Sequence, residues 1–429
     1  MKEKVLFKIE SSEFSNSDIS FIAEKLGRYI WELNKVVEED DWSHPAASLL
    51  LPLEKKYFKH CLSMTRRIPK PALVIVVGIG GSNLGASAVS EAILGKYHNI
   101  SGRRPQILFA ENVDPSSLDS IIKIAKIHLK KRRHIAINLV SKSGKTLETM
   151  ANFDILYSKL KKLGKKKVHV IATGNEFSEF EKTASRQGIN FLQIPHSVGG
   201  RYSIFSNAGL FPLALAKINI PALLSGAKLA LKHSLSSNIS KNPAALMASF
   251  LFLHQKAGRK MHFNFMFSDN LHALGLWHRQ LLAESVGKKG KGITPDVAIG
   301  TTDLHSMAQL FLGGPEDKTF RFVSIENFGK DFTVSSNGIA PRLVPEARER
   351  KISKLMHSVC NGVKKTFKMH SIPFASFELP SLNEESIGYL MQMEMMETMF
   401  LAKLMGVNAF NQPEVEKYKK EAKKLLEKK

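Results

Sequence analysis

The sequence predicts an α/β fold. Two units are expected, each a mostly parallel sheet covered by helices on both faces, followed by a C-terminal helical segment. Three observations carry that reading. Short apolar runs rich in Val, Ile and Leu recur, as in ALVIVVG (72–78) and HIAINLV (134–140), which suits strands buried on both faces. Helical patterns such as SLDSIIKIAKIHLKK (117–131) separate them, the alternation that builds parallel sheets. The pattern then restarts after about residue 220, in a chain of 429 residues that exceeds one ordinary core.

Taken in order, residues 1–50 read as a charged helical extension with Trp31 and Trp42 as packing anchors. The first α/β unit spans 51–220. Its strands are ALVIVVG, QILFAENV (106–113), HIAINLVSKSG (134–144) and KKVHVIATG (166–174), with a helix over SNLGASAVSEAILGKYH (82–98). The second unit spans 221–405: helical material over Pro221–Gly258, an alternating strand MHFNFMFSD (261–269) and a helix over Leu271–Ser285. VAIG (297–300), a helix from His305, then FRFVSIENF (320–328) and ASFELP (375–380) continue it. From Glu384 the chain is helical, broken over Gly406–Pro413, so that 406–429 is a loop and a basic helix. Val415, Tyr418, Ala422, Leu425 and Leu426 share one face of that tail, which is expected to dock.

The formal net charge is +23. The densest runs are Lys130–Arg133, Lys161–Lys167 and Lys417–Lys429, and they read as solvated faces or helix ends. No zinc finger, aromatic RNA-binding signature or basic zipper accompanies them, so nucleic acid is not an expected partner. A positive field does draw an anionic substrate toward a cleft. No apolar run approaches the roughly 20 residues that span a bilayer, and the first residues lack a signal peptide's apolar block. No membrane partner is expected, and the expected location is cytoplasmic. Cys61 and Cys360 lie far apart and form no motif, which predicts inert thiols in a reducing compartment. No metal cluster stands out, and no cofactor is expected.

The stretch LVSKSGKTLETM (139–150) leaves a strand through hydroxyls and a glycine into a helix N-terminus. Backbone N–H groups and the helix dipole favour an anion there. A Walker A loop is excluded, because the glycine it needs five positions before Gly144 is Leu139. A cradle for one phosphate monoester remains. VVGIGGSNLG (76–85) likewise leaves a strand for a helix, but Asn83 stands where the dinucleotide fingerprint needs its third glycine. Gly80 and Gly81 instead let the backbone approach a small polar molecule, and Ser82 can donate to it.

Together these blocks resemble the glucose-6-phosphate isomerase (phosphoglucose isomerase) family of the sugar-isomerase (SIS) superfamily. VVGIGGSNLG, SKSGKTLET (141–149), VGGRYSIFSNAGLFPLA (198–214), LWHRQLLAESVGKKGKG (276–292), GTTDLHSMAQ (300–309) and NAFNQPEVEKYKK (408–420) follow in the family's order. The resemblance implies two SIS-type αβα-sandwich domains and a phosphosugar substrate. Ser141, Lys142 (through its surrounding backbone), Ser143 and Thr146 would hold the phosphate, and Gly81, Ser82 and Gln280 would contact the sugar. Glu284 would be the catalytic base and Arg201 the cation facing the developing enediolate. His305 and Lys419 would open and close the ring, with Glu148 orienting the histidine. It also implies a homodimer in which His305 is donated across the interface.

The chemistry needs these residue types. One carboxylate placed over two adjacent carbons can take a proton from one and return it to the other. The intermediate's charge sits on oxygen, where an arginine that cannot lose its proton lowers the barrier. Lys145 replaces a threonine of the family pattern, and it either adds to phosphate binding or turns outward. Tyr418 and Glu414 replace glycines and Asn411 an aspartate, which leaves Lys420 as the alternative to Lys419. Competing readings are a bifunctional phosphoglucose/phosphomannose isomerase and a non-catalytic phosphosugar-binding regulator.

Overall fold

A computed structural model describes residues 5–10, 16–103 and 105–427. The first sheet contains β2 (Leu73–Val77), β3 (Gln106–Ala110), β4 (Ile135–Val140), β5 (Val168–Asn175) and β6 (Asn190–Ile194), following β1 (Leu6–Ile9) in the chain. Its order is β3-β2-β4-β5-β6, all parallel. The second sheet contains β7 (Met261–Met266), β8 (Thr294–Ile299), β9 (Lys318–Asn327) and β10 (Phe374–Ser381), in the parallel order β8-β7-β9-β10. The two sheets share one winding: a central first strand, the second beside it, the third on its other side and the fourth beyond. The fold is thus α/β with two mostly parallel sheets.

Local departures from the sequence reading have physical causes. Residues 1–50 are not purely helical: Asn16–Glu38 is a helix, but Leu6–Ile9 pairs antiparallel with β10 at the edge of the second sheet. Four residues give too short a run to signal a strand, and its partner lies over 360 positions away. Trp42 packs edge-on against Tyr57, whereas Trp31 is exposed with Lys35 over its ring, so only Trp42 anchors. No helix starts at His305. That residue follows the short turn Thr302–Leu304, and the helix begins at Ala308. The tail helix Val415–Glu427 buries no residue, and Tyr418, Leu425 and Leu426 remain exposed, so its apolar face does not dock within this chain. What is held is the loop before it, through Arg201.

Strand alternation sorts the core into three masses. In β2, Leu73, Ile75 and Val77 face an outer core with Ile121 and Leu156, while Val74 and Val76 face inward. In β7 and beyond, Phe263, Phe265 and Phe267 face a phenylalanine-rich outer core. The inward faces of both sheets merge in one continuous core with the helices Ile220–Ser234, Pro243–Lys256 and Glu384–Met405. The helix His272–Val286, between β7 and β8 of the second sheet, packs along Leu84–Leu94, between β2 and β3 of the first. That contact brings the end of the VVGIGGSNLG turn beside Gln280 and Glu284. Among the described residues, no helix is long and apolar enough to cross a membrane.

Candidate active site

Strand order reverses between β2 and β4, and ligands of such sheets bind in the crevice outside the carboxyl ends at that point. Both sequence-predicted loops leave there. Gly78 follows β2, and a Cβ on it would meet the Val140 carbonyl at 3.1 Å, so the two loops start in contact. Ser141 follows β4 and is buried. Its hydroxyl accepts from the Gly144 N–H at 3.1 Å and lies 3.2 Å from the Thr146 hydroxyl. The Ser143 hydroxyl accepts from the Lys145 N–H at 3.3 Å. Gly144 is left-handed (φ +69°), and a Cβ there would sit 2.5 Å from Phe180, so this position requires glycine.

Thr146 caps the helix Leu147–Gly164 without a side-chain cap hydrogen bond. The helix end therefore keeps its pull on an anion. Lys142 is exposed, while partial desolvation lowers its pKa. Lys145 is exposed and lines a cavity with Ser143, Gly144 and Phe180.

The second cluster is centred on Arg201, which is 6 % exposed. Its Nη1 donates to Glu284 Oε2 and to Gln412 Oε1, each at 2.8 Å. Its Nη2 donates to the carbonyls of Ala409 (3.0 Å) and Asn411 (3.3 Å), and its Nε to the Ser285 hydroxyl (3.2 Å). Gln280 Nε2 donates to Glu284 Oε1 at 3.0 Å, one helical turn away. Both oxygens of Glu284 are thus engaged, while the side chain stays about one-third open to solvent at 32 %.

Gly81 joins this cluster to the glycine turn. A Cβ there would lie 2.3 Å from the Gly200 carbonyl carbon and 2.6 Å from the Arg201 nitrogen. Its lack of a side chain lets the Arg201 turn close on the glycine turn, with Ser82 next to it. Gly80 is left-handed (φ +59°), and its missing Cβ leaves room for the Gln280 amide. A cavity of about 520 Å³ opens beside Gly80, Gln280 and Glu284, and is also lined by Glu111 and Arg279. Close to Glu284 in sequence, the Lys288 ammonium donates to the carbonyls of Ser285 and Asn408. Burial, with Arg201 nearby, pushes its pKa down to about 8.

The remaining predicted residues lie at the margins. Lys419 donates to Glu416 at 2.8 Å, and that bond, with the charges of Glu416, Tyr418 and Glu148, raises its pKa. Glu148, in the first turn of the helix Leu147–Gly164, is therefore within electrostatic reach of Lys419. His305 is exposed, and among the described residues it makes no hydrogen bond to Glu284, Arg201 or Glu148. One chain gathers Arg201, Gln280, Glu284, Gly81 and Ser82, and places Ser141, Lys142, Ser143 and Thr146 on the loop that leaves the neighbouring strand β4. It does not bring His305 to them. Sequence reasoning passed over Gln412, although the block containing it was quoted; a glutamine beside proline carries no signal until its arginine, 211 positions away, is in place. Among the described residues, no group of three or more His, Cys, Asp or Glu side chains could hold a metal ion.

Comparison with known proteins decides the lineage. The phosphoglucose isomerase family model matches residues 70–315. The chain belongs to the phosphoglucose isomerase family. It is 32 % identical over 381 residues to the glucose-6-phosphate isomerase of Rubrobacter xylanophilus, covering 87 % of each chain. It is 33 % identical over 413 residues to that of Mycoplasmopsis synoviae, covering 92 % of each. The fold matches the glucose-6-phosphate isomerase structure from Chlamydia trachomatis with a TM-score of 0.81 at 18 % identity, over 98 % of this chain and 88 % of that one. As a member of the phosphoglucose isomerase family, the chain is an isomerase.

Proposed function

We propose that the protein interconverts glucose 6-phosphate and fructose 6-phosphate through an enediolate. The observation that carries this reading is the triad Gln280–Glu284–Arg201. A carboxylate about one-third open to solvent has one oxygen on an amide and the other on a guanidinium, and the neighbouring strand ends in a hydroxyl-rich loop suited to a phosphate. In the open-chain sugar, Glu284 takes the C2 proton and returns it to C1, while a hydroxyl proton shifts between O1 and O2. The charge that develops on oxygen falls to Arg201, which four other bonds hold in place before substrate arrives. Preorganised donors of this kind contribute roughly 3–4 kcal/mol to a barrier.

Ser141, Ser143, Thr146 and the backbone around Lys142 take the phosphate, whose binding energy positions the reacting carbons. Gly81, Ser82 and Gln280 line the sugar's path, and Gln412 joins them by sharing Arg201. His305 acts from a second subunit in a homodimer, with Lys419 and Glu148 assisting ring opening. The exposure of His305 and the coupling of Glu148 to Lys419 support that arrangement. The chain divides functionally into units over 51–220 and 221–405, with the site between them.

Glu284→Gln tests the assignment of the base. It keeps size and one hydrogen bond but removes the proton carrier, so turnover should fall by about 10²–10⁴-fold with fructose 6-phosphate binding retained. Turnover within a few fold of the parent would remove Glu284 from that role.

A further inference from the structure

Much of the positive charge is unused by the crevice, and it is concentrated at the opposite end of the first sheet. Residues 66–70, 130–133, 161–167 and 217 carry thirteen Lys and Arg and no Asp or Glu. These segments end helices or precede β2, β4 and β5, so a parallel sheet gathers them at its amino end. The backbone confirms the placement: the Ala72 N–H donates to the His134 carbonyl there. Ser141 lies at the far end of β4, about 20 Å away at about 3.3 Å per residue.

Cations in the last turn of a helix answer its dipole, which accounts for Arg66, Arg67, Lys130, Lys161 and Lys162. It does not account for Lys70, Arg133 and Lys217, which lie beyond helix ends. With His134, these three line a cavity of about 520 Å³ that has no acidic residue in its wall. None of the thirteen cations forms an ion pair among the described residues. The nearest polar neighbours supply no negative charge: His134 Nδ1 lies 2.8 Å from His169 Nε2, and the Lys167 ammonium is 3.1 Å from His134 Nε2.

We infer that this cavity is a second anion site, separate from the phosphate cradle, that takes a compact polyanion of the linear polyphosphate class. Arg133 offers a fork for phosphate oxygens, and Lys70 and Lys217 offer mobile charges at the rim. His134 and His169 hold each other and Lys167 in a cluster that lacks an anion. The wall contains no Phe, Tyr or Trp. Single-stranded nucleic acid is bound largely by base stacking on such rings, so a stacking-free cavity favours the phosphate chain alone.

Inorganic tripolyphosphate, titrated calorimetrically into the full-length protein at low salt, tests this site. Two variants locate any binding: Lys70→Met/Arg133→Met/Lys217→Met in the cavity, and Ser141→Ala/Thr146→Ala in the cradle. The cavity variant should bind about tenfold more weakly or worse, with a shallower salt dependence, while the cradle variant should bind as the parent does. Absence of binding by the parent, equal binding by the cavity variant, or loss confined to the cradle variant would overturn the inference. If the triple variant does not fold, His134 and His169 imidazole resonances in the parent give a second reading. Tripolyphosphate should move them, and silence there contradicts the site. A single-stranded RNA homopolymer that outcompetes tripolyphosphate and still binds the cavity variant would overturn it as well.

Discussion

Arg201 and Glu284 illustrate how a site is built at the scale of one residue. Arg201 spends Nη1 on Glu284 and Gln412, and its other donors on Ala409, Asn411 and Ser285. Lysine cannot reproduce that fork. Arg201→Lys should cost about 10²–10³-fold in turnover and lower the melting temperature, and near-parental kinetics would contradict the role. Lys288 gives a pH dependence. Its folded pKa of about 8 lies below the ordinary 10.5, so over that interval the unfolded chain binds more protons and stability from this group rises with pH. The unfolding free energy of the parent, relative to Lys288→Met, should climb between pH 8 and 10.5; a flat difference would refute it. Burial pushes the thiols of Cys61 to about 12 and Cys360 to about 11. Neither should react with a thiol reagent at neutral pH until the protein unfolds. Glu284 and Arg201 were legible because motif blocks surround them. Gln412 was not, because its role exists only once a distant arginine is folded against it.

At the scale of elements, two features position the chemistry. The first is the close packing of the glycine turn on the Arg201 turn. Gly81→Ala would drive a Cβ into the Gly200 backbone, where nothing flexible can yield. It should cost kcat far more than fold stability, and unchanged kcat would show the turns to be independent. The second is a buried network behind the helix His272–Val286. Arg321 donates to Glu394 and Glu397, and His278, on that helix, lies 3.7 Å from Glu397, all fully buried. Burial raises the Glu394 pKa. Glu397 is desolvated as well, but Arg321 and His278 hold its pKa below the usual value. Arg321→Met would leave the carboxylates without their cation, at about 3–5 kcal/mol; denaturant unfolding within 1 kcal/mol of the parent would contradict this. MHFNFM signalled a strand by alternation, but not that both its faces are buried. Only the sheet order reveals that His262 and Asn264 face a polar interior rather than water.

For the whole molecule, the parallel sheets and their helices could be read from the chain because each buried strand is a local apolar run. Strands β1 and β6 could not, since LFKI and NFLQI are short runs interrupted by polar residues and carry no continuous apolar block. The tail helix was misread for a different reason: an apolar stripe signals burial but not against what. In the proposed dimer, His305 reaches a site whose other residues belong to the second chain. A mixture of His305→Ala and Glu284→Gln chains should then recover about a quarter of parental activity, since half of random dimers are mixed and each has one intact site. A mixture as inactive as either variant alone would place His305 in its own chain's site. The most direct measurement is a coupled assay that supplies fructose 6-phosphate and detects glucose 6-phosphate. Sustained formation of glucose 6-phosphate, with or without a chelator, is the expected result. No product under either condition, from protein shown to be folded, would contradict the account.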